Sequence, residues 1–135
     1  MKKVLIIIGQ RQFRNELVSF ISFEGYEVIS AKDGVEGLQK ALQFKPDIIV
    51  SNIKMSRLNG YDLLRTLKQI KITREIPFIF LSAKNQASDV RNALLLGADD
   101  YLIKPLNPSC IVHSIRLVLI KQKKRTQQFS IEEFN

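Results

Sequence analysis

Few side chains in this sequence of 135 residues are of types that perform chemistry, and their spacing excludes most reactions. The one cysteine, Cys110, stands a helical turn before the one histidine, His113. That C-x-x-H spacing can place two metal-ligating groups on one helix face. The remaining ligands would have to come from elsewhere or from another subunit, so no metal site is expected. A single cysteine also excludes an intrachain disulfide framework and fits a reducing compartment. No nucleophile–base pair stands out. Gly9-Gln10-Arg11 lacks the further glycines of a dinucleotide fingerprint or a phosphate-cradling loop. The chain is therefore not expected to be an enzyme, and no cofactor is implied.

The balance of charge points the other way, toward binding. Twenty-one Lys and Arg against 13 Asp and Glu give +8 and a pI near 9.8. On its face this suggests an anionic partner such as nucleic acid. The 45% hydrophobic and 25% charged content is that of an ordinary folded domain, and the length suits one core. No apolar run approaches the roughly 18 residues that span a bilayer. The apolar residues 4–8 are too short for a signal-peptide core. A soluble cytoplasmic protein with no membrane contact is expected.

The elements that must position any site follow from hydrophobic pattern. Val4-Leu5-Ile6-Ile7-Ile8 is a continuous apolar run closed by Gly9, which reads as a strand buried on both faces. Phe13, Leu17, Phe20 and Ile21 recur at helical spacing up to Gly25. The same alternation repeats: strands at residues 26–30, 47–51, 77–81 and 101–103, and helices opening at Asp33-Gly34, Gly60, Ser88 and Asn107. Five apolar strands alternating with five helices predict a doubly wound α/β domain with a mostly parallel sheet. In such folds the working site lies beyond the carboxyl ends of the strands. That directs attention to Ile8, Gly9, Gln10, Asn52, Ser82 and Lys104.

Around these positions run Glu24-Gly25-Tyr26-Glu27-Val28, Ala31-Lys32-Asp33-Gly34, Lys45-Pro46-Asp47-Ile48-Ile49-Val50, Leu58-Asn59-Gly60-Tyr61-Asp62 and Gly97-Ala98-Asp99-Asp100-Tyr101-Leu102-Ile103-Lys104-Pro105. In order and at this spacing they resemble a CheY-like response-regulator receiver domain over residues 2 to about 120. The resemblance implies a flavodoxin-like sheet in the order 2-1-3-4-5 flanked by five helices. It also implies phosphorylation on an aspartate at the end of the third strand, with Mg²⁺ held by an acidic pair at the end of the first.

Here the phospho-acceptor position falls on Asn52 and the acidic pair on Ile8 and Gly9. A carboxamide is not the nucleophile a carboxylate is, and neither Ile8 nor Gly9 offers the side-chain oxygen that Mg²⁺ demands. Arg11, Lys54, Arg57 and Lys104 are expected around the pocket, opposing a divalent cation. Asp47, Asp99 and Asp100 belong at the far ends of their strands, and Asp33 is expected to stand alone. The pattern is that of a natural pseudo-receiver. Three switch-like residues remain by resemblance: Ser82 at the hydroxyl position, Lys104-Pro105 at the lysine that contacts the phosphoryl group, and Tyr101 at the aromatic that changes rotamer. Each also has a plainer reading, Ser82 as a cap and Tyr101 as a packing aromatic with its hydroxyl in solvent. Lys104, lacking its carboxylate partner, should bond the Asn52 oxygen, bind an anion or turn to solvent.

The partner expected from the resemblance is a histidine kinase, an output domain or a second copy of the chain. Ala93-Leu94-Leu95-Leu96 and the apolar residues of 111–120 exceed what one stripe can bury. The docking face is therefore placed on helix four, strand five and helix five, with a homodimer as one outcome; deep burial of the last helix is the other reading. An alternative is an anion- or small-ligand-sensing domain that uses the former phosphoryl pocket through Lys104 and Arg11. The receiver-like unit is expected over 1–120, with 121–135 a linker or helical extension, so the chain reads as the amino-terminal piece of something longer. Residues 54–74 carry six basic residues against Asp62 alone. The charge that first suggested nucleic acid is thus better read as an emptied acidic pocket with a basic rim.

Overall fold

A computed structural model describes residues 1–134, with side chains described through residue 127. The elements alternate as β1 (Lys3–Ile7), α1 (Arg11–Phe23), β2 (Glu27–Ala31), α2 (Gly34–Phe44), β3 (Ile48–Asn52), α3 (Gly60–Gln69), β4 (Phe78–Ser82), α4 (Ala87–Leu95), β5 (Asp100–Ile103) and α5 (Pro108–Phe134). All neighbouring strands pair in parallel, in the order β2-β1-β3-β4-β5. The expected fold class and strand order are both present.

Successive residues of a strand point to opposite faces, and the apolar runs exploit this. Val4, Ile6 and Ile8 pack with Val50, Ile79, Leu17 and Ile115 on one side of the sheet. Leu5 and Ile7 pack with Ile49, Phe78, Phe80 and Leu63 on the other. Each of these side chains is at most 1% exposed, and each contributes roughly 1.5–3 kcal/mol by leaving water. A sheet covered on both faces has to be apolar at consecutive positions, which is why its strands show as runs and not as alternation.

Local chemistry starts the helices. Asp33 accepts the Glu36 N–H at 2.9 Å to cap α2, and Asn59 accepts the Asp62 N–H at 2.9 Å to cap α3. Gln10 accepts the Phe13 N–H at 2.7 Å and opens α1. At the amino ends of the strands, Asp47 and Asp99 accept the N–H groups of Lys3 and Phe78, and Asp100 accepts the Ser114 hydroxyl. All three carboxylates lie at the end of the sheet where the sequence pattern puts them. The order reverses between β1 and β3, so the crevice at their carboxyl ends is the topological site of the fold.

Candidate functional site

The carboxyl ends of β1, β3, β4 and β5 gather Ile8, Gly9, Asn52, Ser82 and Lys104 on one rim. Ile8 is fully buried among aliphatic side chains, and Gly9 has only backbone to offer. An added Cβ at Gly9 would meet nothing closer than the Lys32 carbonyl oxygen at 3.6 Å. The fold thus leaves room for a larger residue at that position.

The main-chain oxygens of both residues are already taken. The Arg14 guanidinium donates to the Ile8 carbonyl at 2.8 Å and to the Gly9 carbonyl at 3.2 Å. A hard divalent cation needs anionic oxygens in near-octahedral array, and this corner presents two carbonyls under a fixed positive charge. The residues present do not fit Mg²⁺. Among the described residues no three His, Cys, Asp or Glu side chains converge on a point. Titration with MgCl₂ to about 10 mM is expected to leave the thermal midpoint unchanged, because only a ligand that binds the folded state raises it. A saturable rise would contradict this.

Arg14 is a site residue that the sequence pattern did not single out. A signal was nevertheless present: the first turn of α1 holds Arg11 and Arg14 and no acidic residue, where the helix macrodipole favours the opposite sign. The guanidinium is tolerated there because carbonyl oxygens receive it.

At the end of β3 the Asn52 carboxamide oxygen is buried with no hydrogen-bond partner among the described residues. Lys104 does not supply one. Its ammonium lies 5.5 Å from the centroid of the Phe13 ring, a cation–π distance, and burial lowers its pKa from the ordinary lysine value. This is a fourth outcome beside the three expected for it. Pro105 follows through a cis peptide bond and lies with Lys104, Gln10 and Phe13 around a shallow cavity.

The basic rim is also smaller than expected. Arg57 turns away and forks onto Asp33, with Nε to Oδ2 at 2.9 Å and Nη2 to Oδ1 at 3.1 Å. Asp33, expected to have no second carboxylate beside it, is ion-paired to this arginine. The Glu36 N–H, then the Arg57 hydrogen bonds and charge, hold its carboxyl below the usual range against the opposing effect of burial. Arg57 reaches it from a left-handed backbone with φ of 69°. A turn of that kind is not visible in a residue that is not glycine or asparagine.

Ser82 and Tyr101 meet at one residue. The Ser82 hydroxyl oxygen accepts the Lys84 N–H at 3.1 Å, and the Tyr101 hydroxyl donates to the Lys84 carbonyl at 3.0 Å. The expectation of a solvent-facing tyrosine hydroxyl is corrected: the ring is 7% exposed, and a buried hydroxyl takes the acceptor within reach. The loop after β4 is thereby gripped from both sides.

Residues 4–116 match the family model of the response regulator receiver domain. The chain belongs to that family. This receiver domain is 37% identical over 128 residues to the response regulator SaeR of Staphylococcus aureus, covering 95% of the chain and 55% of SaeR. It thus spans about half the length of the curated relatives it matches. Among solved structures it superposes on chemotaxis response regulator CheY4 of Vibrio cholerae with a TM-score of 0.83 at 26% identity, covering 87% of the chain and 98% of CheY4. A CheY-like receiver domain protein from Methanospirillum hungatei gives 0.85 at 26% identity, over 93% and 98%. Receiver domains work with kinases and output domains in two-component signalling. No helix among the described residues of this one is long and apolar enough to cross a membrane.

Proposed function

We propose that this receiver domain is a pseudo-receiver: a phosphorylation-independent interaction module of two-component signalling that acts in the cytoplasm and catalyses nothing itself. The observation that carries the reading is the uncharged pocket. Asn52, Ile8 and Gly9 stand at the acceptor and acidic-pair positions that the resemblance assigns. The Arg14 guanidinium donates to the carbonyl oxygens of Ile8 and Gly9 and places a cation beside the acidic-pair positions. Room beside Gly9 argues that the missing carboxylate there is a matter of sequence and not of steric necessity.

Output then depends on surfaces. On the β5–α5 side Ile103, Leu117 and Ile120 are 40%, 52% and 52% exposed, while Ile111, Val112, Ile115 and Val118 are buried. This strip, with α4 beside it, is the proposed face for a kinase, an output domain or a second copy. The anion-sensing alternative has less support, since the Lys104 ammonium lies against the Phe13 ring.

Incubation with MgCl₂ and acetyl phosphate is expected to leave the intact mass unchanged. A phosphoryl adduct mapped to the rim of β1 and β3 would overturn the proposal.

A further inference from the structure

The three leucines at the end of α4 do not all turn toward α5. Leu95 and Leu96 line a cavity of about 430 Å³ with Tyr61 and Arg65 of α3. Leu95 is 78% exposed, and among the large apolar side chains of the described residues only Met1 and Phe23 are more so. Tyr61 and Lys84 also line a second cavity of about 470 Å³, whose walls include Ile53 and Ala83. The two cavities share Tyr61 and Lys84; the first lies between α3 and α4, the second among residues at and after the ends of β3 and β4, Ser82 included, and the pair makes up the α3–α4 groove.

The groove is apolar at its floor and cationic at its edge. Lys54 and Lys84 have no charged partner among the described residues. Arg65 meets only Asp62, three residues back on the same helix and half exposed, a pairing worth little in water. The single carboxylate in the lining, Asp89, is engaged as a cap: its Oδ2 accepts the Gln86 N–H at 3.3 Å. The Tyr61 hydroxyl has no hydrogen-bond partner among the described residues, and burial raises its pKa, which keeps it a neutral donor. Tyr61 and Arg65 lie four residues apart on α3 and share a face.

We infer that the α3–α4 groove is a docking site for an acidic segment of a protein partner, whose aliphatic or aromatic side chains enter the cavities flanking Tyr61. Charge complementarity selects the occupant: the edge is cationic, and the free donors face a carboxylate-bearing chain. Apolar anchors in pockets ringed by polar contacts supply the affinity. A nucleic-acid backbone would set its phosphates against Asp89 and leave Leu95 and Leu96 unused. The groove shares α4 with the β5–α5 face but is otherwise built from α3 and the residues after β3 and β4.

The test uses a fluorescein-labelled dodecapeptide repeating Glu-Glu-Leu-Phe, read by fluorescence anisotropy on the full chain. Saturable binding is expected. It should weaken by roughly tenfold or more in the Arg65→Glu, Lys84→Glu double variant and by a few-fold in Leu95→Ala. The Leu117→Ala variant, on the other face, should bind as the parent does. All four side chains are on the surface, so the variants keep the fold. Equal binding by the charge-reversed variant, or equal binding of an analogue with lysine for glutamate, would overturn the inference. So would no binding up to about 1 mM peptide, weaker than any specific interface of this size. A Leu95-dependent dimer in sedimentation, or duplex DNA bound through Arg65 and Lys84, would assign the groove to another occupant and equally overturn it.

Discussion

Replacing Gly34 by alanine is expected to destabilise the domain by about 3 kcal/mol, the upper end of what overpacking costs. Gly34 opens α2 against the loop that follows β3. A Cβ there would be driven into the Leu58 carbonyl oxygen and would lie 2.7 Å from the Leu58 Cβ and 2.8 Å from its carbonyl carbon. These are main-chain or near-main-chain atoms, so no rotamer change relieves them. The loop cannot simply recede. Its end is tied by the Gly60 N–H to the Ile53 carbonyl at 2.7 Å, and Arg57 is forked onto Asp33. For a domain of this size the thermal midpoint should fall by about 10 °C. Gly9→Ala is the internal control and should lie within about 2 °C of the parent, since its Cβ has ordinary room. A Gly34→Ala midpoint as close to the parent would show that the loop yields freely.

The second large effect lies at the same junction. Asp33→Ala removes the cap of α2, worth about 1 kcal/mol, together with both acceptors of Arg57. The Arg57 side chain is 55% exposed, so its released guanidinium is rehydrated and no buried charge is stranded. A total loss of about 2 kcal/mol is expected at neutral pH. Asp33→Asn keeps a cap and loses the charge, and it exposes the pH dependence. The folded carboxyl has its pKa lowered, chiefly by the Glu36 N–H and then by Arg57. Its stabilisation is therefore fully present above the unfolded pKa and is lost as pH falls through the folded one. Urea unfolding of the parent and of Asp33→Asn should differ at pH 7 and converge toward about pH 3. A gap that stays constant across that range would remove the carboxylate from the account.

Much of this fold is legible in the sequence because burial on two faces imposes a pattern that composition cannot imitate. The runs at residues 4–8 and 77–81 could not be exposed, and α3 shows Leu63, Leu64 and Leu67 at helical spacing. Boundaries slide by one residue, and for a reason. Asn52 and Ser82 read as loop residues by type, yet each closes a strand, because the parallel ladder pairs main-chain groups whatever the side chain. The residue types at the strand ends, Ile8, Gly9, Asn52, Ser82 and Lys104, were also legible, since they are read directly from the sequence. What was not legible is how the orphaned side chains re-partnered. Arg57 to Asp33 spans 24 residues, and Lys104 to Phe13 joins the end of β5 to the first turn of α1. Long flexible cations choose partners by proximity in the folded state, which spacing along the chain does not encode. The same holds for Leu95 and Leu96: their excess over one apolar stripe was visible, but the helix that they would face was not.

The Arg14 guanidinium differs from a metal ion in one respect that reaches beyond geometry. It is tethered to the chain and cannot dissociate from the carbonyls of Ile8 and Gly9 by dilution or chelation. In the proposed pseudo-receiver, a pocket that would wait for a metal and report on its surroundings carries a tethered group in its place. On that reading the crevice has no input of its own to vary with, and the message would be set by how many copies are present and by what touches their flanks.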